Sequence, residues 1–234
     1  VVSPRSCAVP TLAGTVLAAL AAGSAVIIKT APETRRSAAV FIETLIAGGV
    51  PSGLVTVLDS QDDQDSQDGL AEALICDERV DRVLHVGSRH TAKLFHSWRA
   101  EMALSSTTGG RNSFIVTPSA DLEAAVSDVV NSAFDRGGQA PTATGTVILV
   151  GSVGESARFL GRLADAVASV PTGMPGTPGA GISALERPAG KREREALDSL
   201  SDGETWRVRP RQIDKDGAHW SPGLRDGVQA ESLV

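Results

Sequence analysis

The chain has no tyrosine, and phenylalanine and tryptophan together make up only 3% of its 234 residues. Alanine, glycine and valine dominate instead, a composition that suits helices packed closely on a parallel sheet. Cysteine is almost as scarce. Cys7 and Cys76 stand far apart with no Cys-x-x-Cys between them, which excludes a disulfide framework and a zinc site of ordinary spacing, and points to a reducing cytoplasm. Positive charge is also short. With 22 Lys and Arg against 28 Asp and Glu the net charge is -6, so the chain lacks the basic balance expected of a nucleic-acid binder. Hydrophobic residues at 41% and charged residues at 21% exclude disorder and leave room for a substantial core.

Only one segment resembles a long apolar run. Residues 11–28 carry no charge and imitate a signal peptide or a short membrane span. Gly23-Ser24 divides them into an alanine-rich half and the β-branched Val26-Ile27-Ile28, which reads as a helix followed by a buried strand. Ala38, Phe41, Ile42, Leu45 and Ile46 recur at helical spacing and predict a helix over 34–47, stopped by Gly48-Gly49. A turn at 49–53 leads to a strand over 54–58. Residues 59–68, rich in Asp, Gln and Ser, supply no calcium-loop register of Gly and Glu and read as a solvated loop. A short helix over 69–76, a strand over 82–86 and a helix over 91–98 follow. This alternation predicts a parallel, doubly wound sheet. Gly109-Gly110 reads as a hinge. Beyond it come a strand at 113–116, a capped helix at 121–134, a strand at 147–150 and a helix at 156–170. From 171 onward glycine and proline thicken, no closing element is legible, and there is no internal repeat.

Six stretches, in order, resemble the aldehyde dehydrogenase superfamily: SPRSCAVPTLAGTVLAALAAGSAVIIKTAPET, GVPSGLVTVL, HVGSRHTAKLF, TTGGRNSFIV, SAFDRGGQAPTAT and HWSPGLRDGV. The last, with TPSADLEAAVSDVV before it, is most similar to the branch that oxidises L-glutamate γ-semialdehyde, the 1-pyrroline-5-carboxylate dehydrogenases, often one module of a bifunctional proline-catabolic enzyme. The resemblance implies an α/β fold: a Rossmann-type parallel sheet as part of an NAD-binding domain over 1–110, and part of a second, catalytic α/β domain over 111–234. The chain opens on Val1 rather than Met, and the family's Phe-Gly-Pro motif falls beyond Val234, so the sequence reads as a truncated piece.

The resemblance also implies a mechanism. A cysteine attacks the aldehyde, hydride leaves to NAD, and a glutamate activates the water that releases the acid. An asparagine side chain and the cysteine N–H hold the developing oxyanion. On this sequence the motif Gly-Gln-x-Cys reads Gly138-Gln139-Ala140-Pro141, which puts proline at the nucleophile position. Thr107 stands where the general base precedes Thr-Gly-Gly, and Ser6 where the oxyanion asparagine is expected. Lys29, Gly87 and Ser88 match the family's cofactor contacts, and Gly109, Gly110 and Asn112 its hinge. Arg89 and His90 replace the Thr and Glu common there.

The remaining candidates read as structural. Cys7 lies close to the oxyanion position and is a displaced thiol or, more simply, a small buried hydrophobe. Cys76 ends an apolar helix. His85, His90 and His96 fall in a strand, a turn and a helix, with no metal-ligand spacing. Residues 187–195 mix both charges as the exposed face of a helix does. The expectation is therefore a substituted, inactive relative of the glutamate-semialdehyde enzymes. Its alternatives are a catalytically silent cofactor-binding or assembly module, a remnant of a decayed gene, and an active enzyme with an unrecognised nucleophile. The expected partners are a second copy or a proline dehydrogenase module, with neither nucleic acid nor membrane.

Overall fold

Alanine-rich stretches form the helices of the first half of the chain, and β-branched runs form its strands. A computed structural model describes every residue except 6–7, 59–63, 111, 174–177, 179–181, 183, 186 and 230–234, with backbone alone at 8 and 64–68. The chain divides into two compact units, Val1–Gly109 and Gly110–Val234.

In the first unit α1 (Ala8–Ala21) leads into β1 (Val26–Lys29). A 3-10 turn beginning at Pro32 opens α2 (Arg35–Ala47). At the end of α2 the chain needs a left-handed residue, and Gly49 (φ 101°) supplies it without the clash a Cβ would bring. Then come β2 (Val55–Leu58), α3 (Gln64–Cys76), β3 (Arg82–Gly87), α4 (Arg89–Trp98) and β4 (Ala103–Thr108). The strand β1 pairs parallel with β2, and β3 parallel with β4. What joins the two pairs is the segment Val1-Val2-Ser3. Val2 N–H donates to Leu84 O (2.8 Å), Val86 N–H to Val2 O (3.2 Å), Ser3 N–H to Lys29 O (3.1 Å) and Lys29 N–H to Val1 O (2.9 Å). The result is one parallel sheet in the order β2, β1, Val1–Ser3, β3, β4.

Successive residues of a strand face opposite sides of the sheet, and this short segment shows it. Val1 packs with Leu12, Val16, Val26, Ile28, Ala38, Ile42 and Val55, the core under α1 and α2. Val2 packs with Ile75, Val83, Phe95 and Met102, the core under α3 and α4. Helices therefore cover both faces, which is the doubly wound arrangement that a parallel sheet requires. Full burial of a side chain such as Phe95, 2% exposed, is worth about 1.5 to 3 kcal/mol. Arg99, just past α4, ties this layer together. Its guanidinium donates to the carbonyls of Val80 (2.9 Å), Asp77 (3.0 Å) and Ile75 (3.4 Å), which satisfies carbonyls at and just beyond the end of α3.

The second unit begins with β5 (Asn112–Val116), α5 (Leu122–Phe134), β6 (Thr144–Leu149) and α6 (Ala157–Ser169). Asp121 caps α5 by accepting from the N–H groups of Glu123 (2.9 Å) and Ala124 (3.2 Å), and Ser156 caps α6 by accepting from Phe159 N–H (3.2 Å). The two strands pair in parallel, and Val116, Val126, Val129, Phe159, Leu163 and Val167 fill the space between the sheet and the helices. Glu123 on α5 pairs with Arg158 and Arg162 on α6. After α7 (Lys191–Asp198), β7 (Thr205–Val208) and β8 (Leu224–Asp226) pair antiparallel. Beside them the fully buried Glu204 carboxylate meets Arg225 at 3.3 Å.

Several expectations need correction. The loop expected over 59–68 is helical from Gln64, and residues 59–63 lie outside the described residues. His90 lies within α4 rather than in a turn, because Ser88 caps the helix and starts it two residues earlier than the apolar spacing suggests. The strand β4 was not legible, since Ser105-Ser106-Thr107-Thr108 gives little apolar pattern. The region after 171 does contain closing strands, β7 and β8, both short. The mixed-charge run becomes α7, shifted toward the carboxyl end and lacking a buried residue. No helix among the described residues is long and apolar enough to cross a membrane.

Two substitutions test this packing by urea unfolding. Val2→Pro removes the donor to Leu84 O from the middle of the sheet, and the orphaned carbonyl alone should cost about 1 to 3 kcal/mol. Gly87→Ala would place a Cβ 2.6 Å from His85 Nε2, and because that ring is 2% exposed it cannot move aside, so a loss of about 1 to 3 kcal/mol is expected. Unchanged unfolding midpoints would contradict both statements.

Candidate active site

In a parallel sheet the carboxyl ends of the strands lie on one edge, and helix amino termini face the same way. Lys29 is the last residue of β1 and is half-buried. Gly87 ends β3, and across from it β4 places Thr107 beside Val86 and Thr108 beside Gly87. Lys29, Gly87, Ser88 and Thr107 are thus brought together along one edge of the first unit. Ser88 has extended backbone (φ -78°, ψ 148°), and its Oγ accepts from Thr91 N–H at 3.0 Å while lying 2.8 Å from Thr91 Oγ1. This cap occupies one first-turn donor of α4 and leaves those of Arg89 and His90 without an intrahelical acceptor. Both of those side chains are exposed, and the first turn holds no acid, so positive potential from the helix dipole and from Arg89 adds at this edge.

Beneath the edge lies a polar pair that sequence reasoning did not single out. His85 on β3 sits opposite Ser106 on β4, with Nδ1 2.8 Å from Ser106 Oγ. The imidazole is edge-on to Phe95 of α4, centroids 5.3 Å apart and planes at 72°. Burial lowers its pKa below the ordinary histidine value. The only signal in the sequence is a histidine and a serine on strands that otherwise read as apolar or small. Next to Lys29, Thr30 is 1% exposed, and its Oγ1 has no hydrogen-bond partner among the described residues.

The second unit carries the Gly-Gln-x-Cys equivalent. After α5, Arg136 (φ 53°), Gly137 (φ 67°) and Gly138 (φ 75°) form a left-handed turn. Gln139 and the buried Ala140 lead into a β-turn closed by Ala143 N–H on Ala140 O at 2.9 Å. Pro141 takes the second position of that turn, where its fixed φ is favourable and no N–H is needed for the turn itself. The Asn112 amide holds the turn from β5, donating to Pro141 O (2.8 Å) and Ala143 O (3.2 Å). Gly110 packs so closely that a Cβ there would lie 3.0 Å from Asn112 Nδ2 and 3.1 Å from Pro141 O. Gly110 and Asn112 therefore fix the position of Pro141. Ser6 and Cys7 lie outside the described residues.

Chemically, Pro141 offers neither a thiol nor an N–H, and Thr107 offers an exposed hydroxyl in place of a carboxylate. Among the described residues, no three His, Cys, Asp or Glu side chains converge as a metal site.

Comparison with known proteins agrees with this architecture. The model of the aldehyde dehydrogenase family matches residues 2–234. The bifunctional protein PutA of Klebsiella aerogenes is 31% identical over 232 residues, covering 95% of this chain and 17% of that protein. The structure of proline utilization A from Corynebacterium freiburgense superposes with a TM-score of 0.88 at 37% identity, covering 99% of this chain and 23% of that one. Succinate-semialdehyde dehydrogenase from Burkholderia pseudomallei, at 24% identity, shares the fold with a TM-score of 0.82 over 99% of this chain and 47% of its own. The chain thus spans less than a quarter of the PutA proteins it matches. On the match to the family model and on this fold, the chain belongs to the aldehyde dehydrogenase family.

Proposed function

We propose that this chain is a catalytically silent relative of the enzymes that oxidise L-glutamate γ-semialdehyde to glutamate in proline catabolism, with an edge suited to a nicotinamide dinucleotide and no means of aldehyde oxidation. The observation that carries the reading is the Pro141 turn, held by Asn112, at the position that the Gly-Gln-x-Cys resemblance gives to the nucleophile. A thioester route needs a sulfur to bond to the aldehyde carbon before hydride can leave. Loss of the nucleophile in hydrolases costs on the order of 10⁶ in kcat, and loss of one oxyanion donor about 3 to 4 kcal/mol. Proline removes both at once. Thr107 adds a third loss, because a hydroxyl does not take a proton from water near neutral pH, and Ser6 replaces the longer asparagine of the oxyanion site.

The first unit, residues 1–110 in the sequence reading, is the cofactor-binding part, and 111–234 belong to the catalytic part. NAD, when bound, supplies the hydride acceptor. The donor set fits it: Lys29 at the end of β1 suits ribose hydroxyls, and Ser88 with the first turn of α4 suits a pyrophosphate. Arg89 strengthens that attraction. The setting is cytoplasmic.

A second reading, a silent assembly module that pairs with its own copy, is favoured by the bare face of the second unit. There Ile115 is 60% exposed and Ile148 45%, on a parallel sheet, which is ordinarily covered on both faces. Sedimentation should then show a concentration-dependent dimer, and a monomer at all concentrations removes that reading.

The main reading predicts no NADH from glutamate γ-semialdehyde and NAD above the protein-free rate. Pro141→Cys should give a thiol that reacts with a disulfide reagent yet still makes no steady-state NADH, for want of a base at Thr107. Turnover by the unmodified chain would overturn the proposal.

A further inference from the structure

Four residues of the first unit lie in one row across the sheet: Lys29, Val2, His85 and Ser106, each opposite the next. In a parallel sheet, residues in register face the same side, so this row faces the α3 and α4 layer, as the packing of Val2 confirms. His85 is its buried titratable member. Its ring leans along β3 toward the edge: a Cβ on Gly87 would meet Nε2 at 2.6 Å and Cε1 at 3.2 Å. The ring therefore fills the space that the missing side chain of Gly87 leaves, and the Ser106 hydroxyl holds its far side at 2.8 Å. Directly above are Gly87 and Ser88, the residue that caps α4.

We infer that His85 is the positioning residue of this edge, a neutral imidazole wedge that sets the Gly87-Ser88 turn and the first turn of α4, and that releases them on protonation. The inference rests on the proposed ligand edge for its functional meaning and on geometry for its mechanism. A charged imidazolium here would be 2% exposed, against Phe95 and a serine. Among the described residues the charged groups of the surrounding elements give it no partner. On α4, Arg89, His90, Lys93 and His96 are exposed, β4 carries no charge, and Glu72 of α3 is exposed. Lys29 of β1 shares the row but lies two strands away and is a cation. The amino group of Val1 donates to Ile27 O at 2.7 Å. Protonation is accommodated by opening the end of β3 so that the ring reaches water, which moves Gly87, Ser88 and the helix start together.

The direction follows from linkage. Burial lowers the folded-state pKa of His85, so the closed edge is fully stable above the unfolded value near 6.5, and stability falls as pH drops below it toward the lowered folded value. The ratio of closed to open edge then falls by up to about tenfold per pH unit across that window.

The test is an NMR titration of the His85 ring and the backbone amides of Ser88 to Ala92 between pH 8 and 4.5. It is run on a His90→Asn chain so that the other histidine of this segment does not titrate. The expected result is that the Ser88 to Ala92 amides shift with the same midpoint as the His85 ring, below the ordinary histidine value. With His85→Phe, or His85→Leu should the larger ring not fit, the amides should lose that transition. A transition that persists in these variants, or amides that stay fixed while His85 titrates, overturns the inference. The ligand arm is separate: NAD affinity by thermal shift should fall from pH 7.5 to 5.5 in the His90→Asn chain and stay level once His85 is also replaced. If no nucleotide binds at any pH, the cofactor reading fails, while the amide titration still decides the role of His85.

Discussion

Everything in the first unit depends on three residues. Val1-Val2-Ser3 hydrogen bond to β1 on one side and β3 on the other, and without them the unit would hold two separate two-stranded ribbons. Such small sheets are marginal alone, because they leave too many backbone groups in water and too little apolar surface buried. The inserted segment changes both terms. It completes the ladder, and by alternation it drives Val1 into one helical layer and Val2 into the other, so the two cores share one backbone. It also sets the geometry of the candidate edge. Register across Val2 places Lys29 level with His85, and so brings the ends of β1 and β3 to a common edge where an anionic ligand can meet the start of α4.

The framework and the positions proposed for the chemistry have separate physical requirements, so the fold does not depend on which residues stand at 107 and 141. The sheet needs β-branched strands, small residues in the helices and caps such as Asp121 and Ser156, none of which stands at a position proposed for nucleophile, base or cofactor contact. The turn at 140–143 needs a residue content with fixed φ at its second position, and proline meets that need as well as or better than cysteine. Asn112 grips carbonyls, which proline retains, so the turn is anchored without any demand on the side chain at 141. Among the described residues the turn keeps its closing hydrogen bond and its grip by Asn112 with proline at 141. Fold here is no guide to activity, and the reaction must be argued from the side chains.

How much of this could be read from the sequence differs by element. Val26-Ile27-Ile28 and the amphipathic run after Thr34 announced β1 and α2 through periodicity alone. The caps announced α5 and α6 to within a residue, since Asp121 and Ser156 are short polar side chains set before apolar stripes. The strand β4 was hidden because Ser and Thr carry its interior, and their partners are polar too, as His85 with Ser106 shows. The strands β7 and β8 were hidden by brevity among Gly and Pro. Of the candidate site, Lys29, Gly87, Ser88 and Pro141 are proposed through resemblance alone. The wedge formed by His85, and the grip of Asn112 on Pro141, depend on contacts 21 and 29 residues apart in sequence, which no local pattern encodes.

The most direct measurement of the central constraint is amide hydrogen exchange, residue by residue, at neutral pH. If Val1–Ser3 are the middle strand on which the first unit depends, the amides of Val2, Lys29 and Val86 exchange as slowly as those within β1 and β3, through the same global opening. If those three exchange freely while the two strand pairs remain protected, the sheet is two ribbons, and Lys29 and Gly87 do not share an edge.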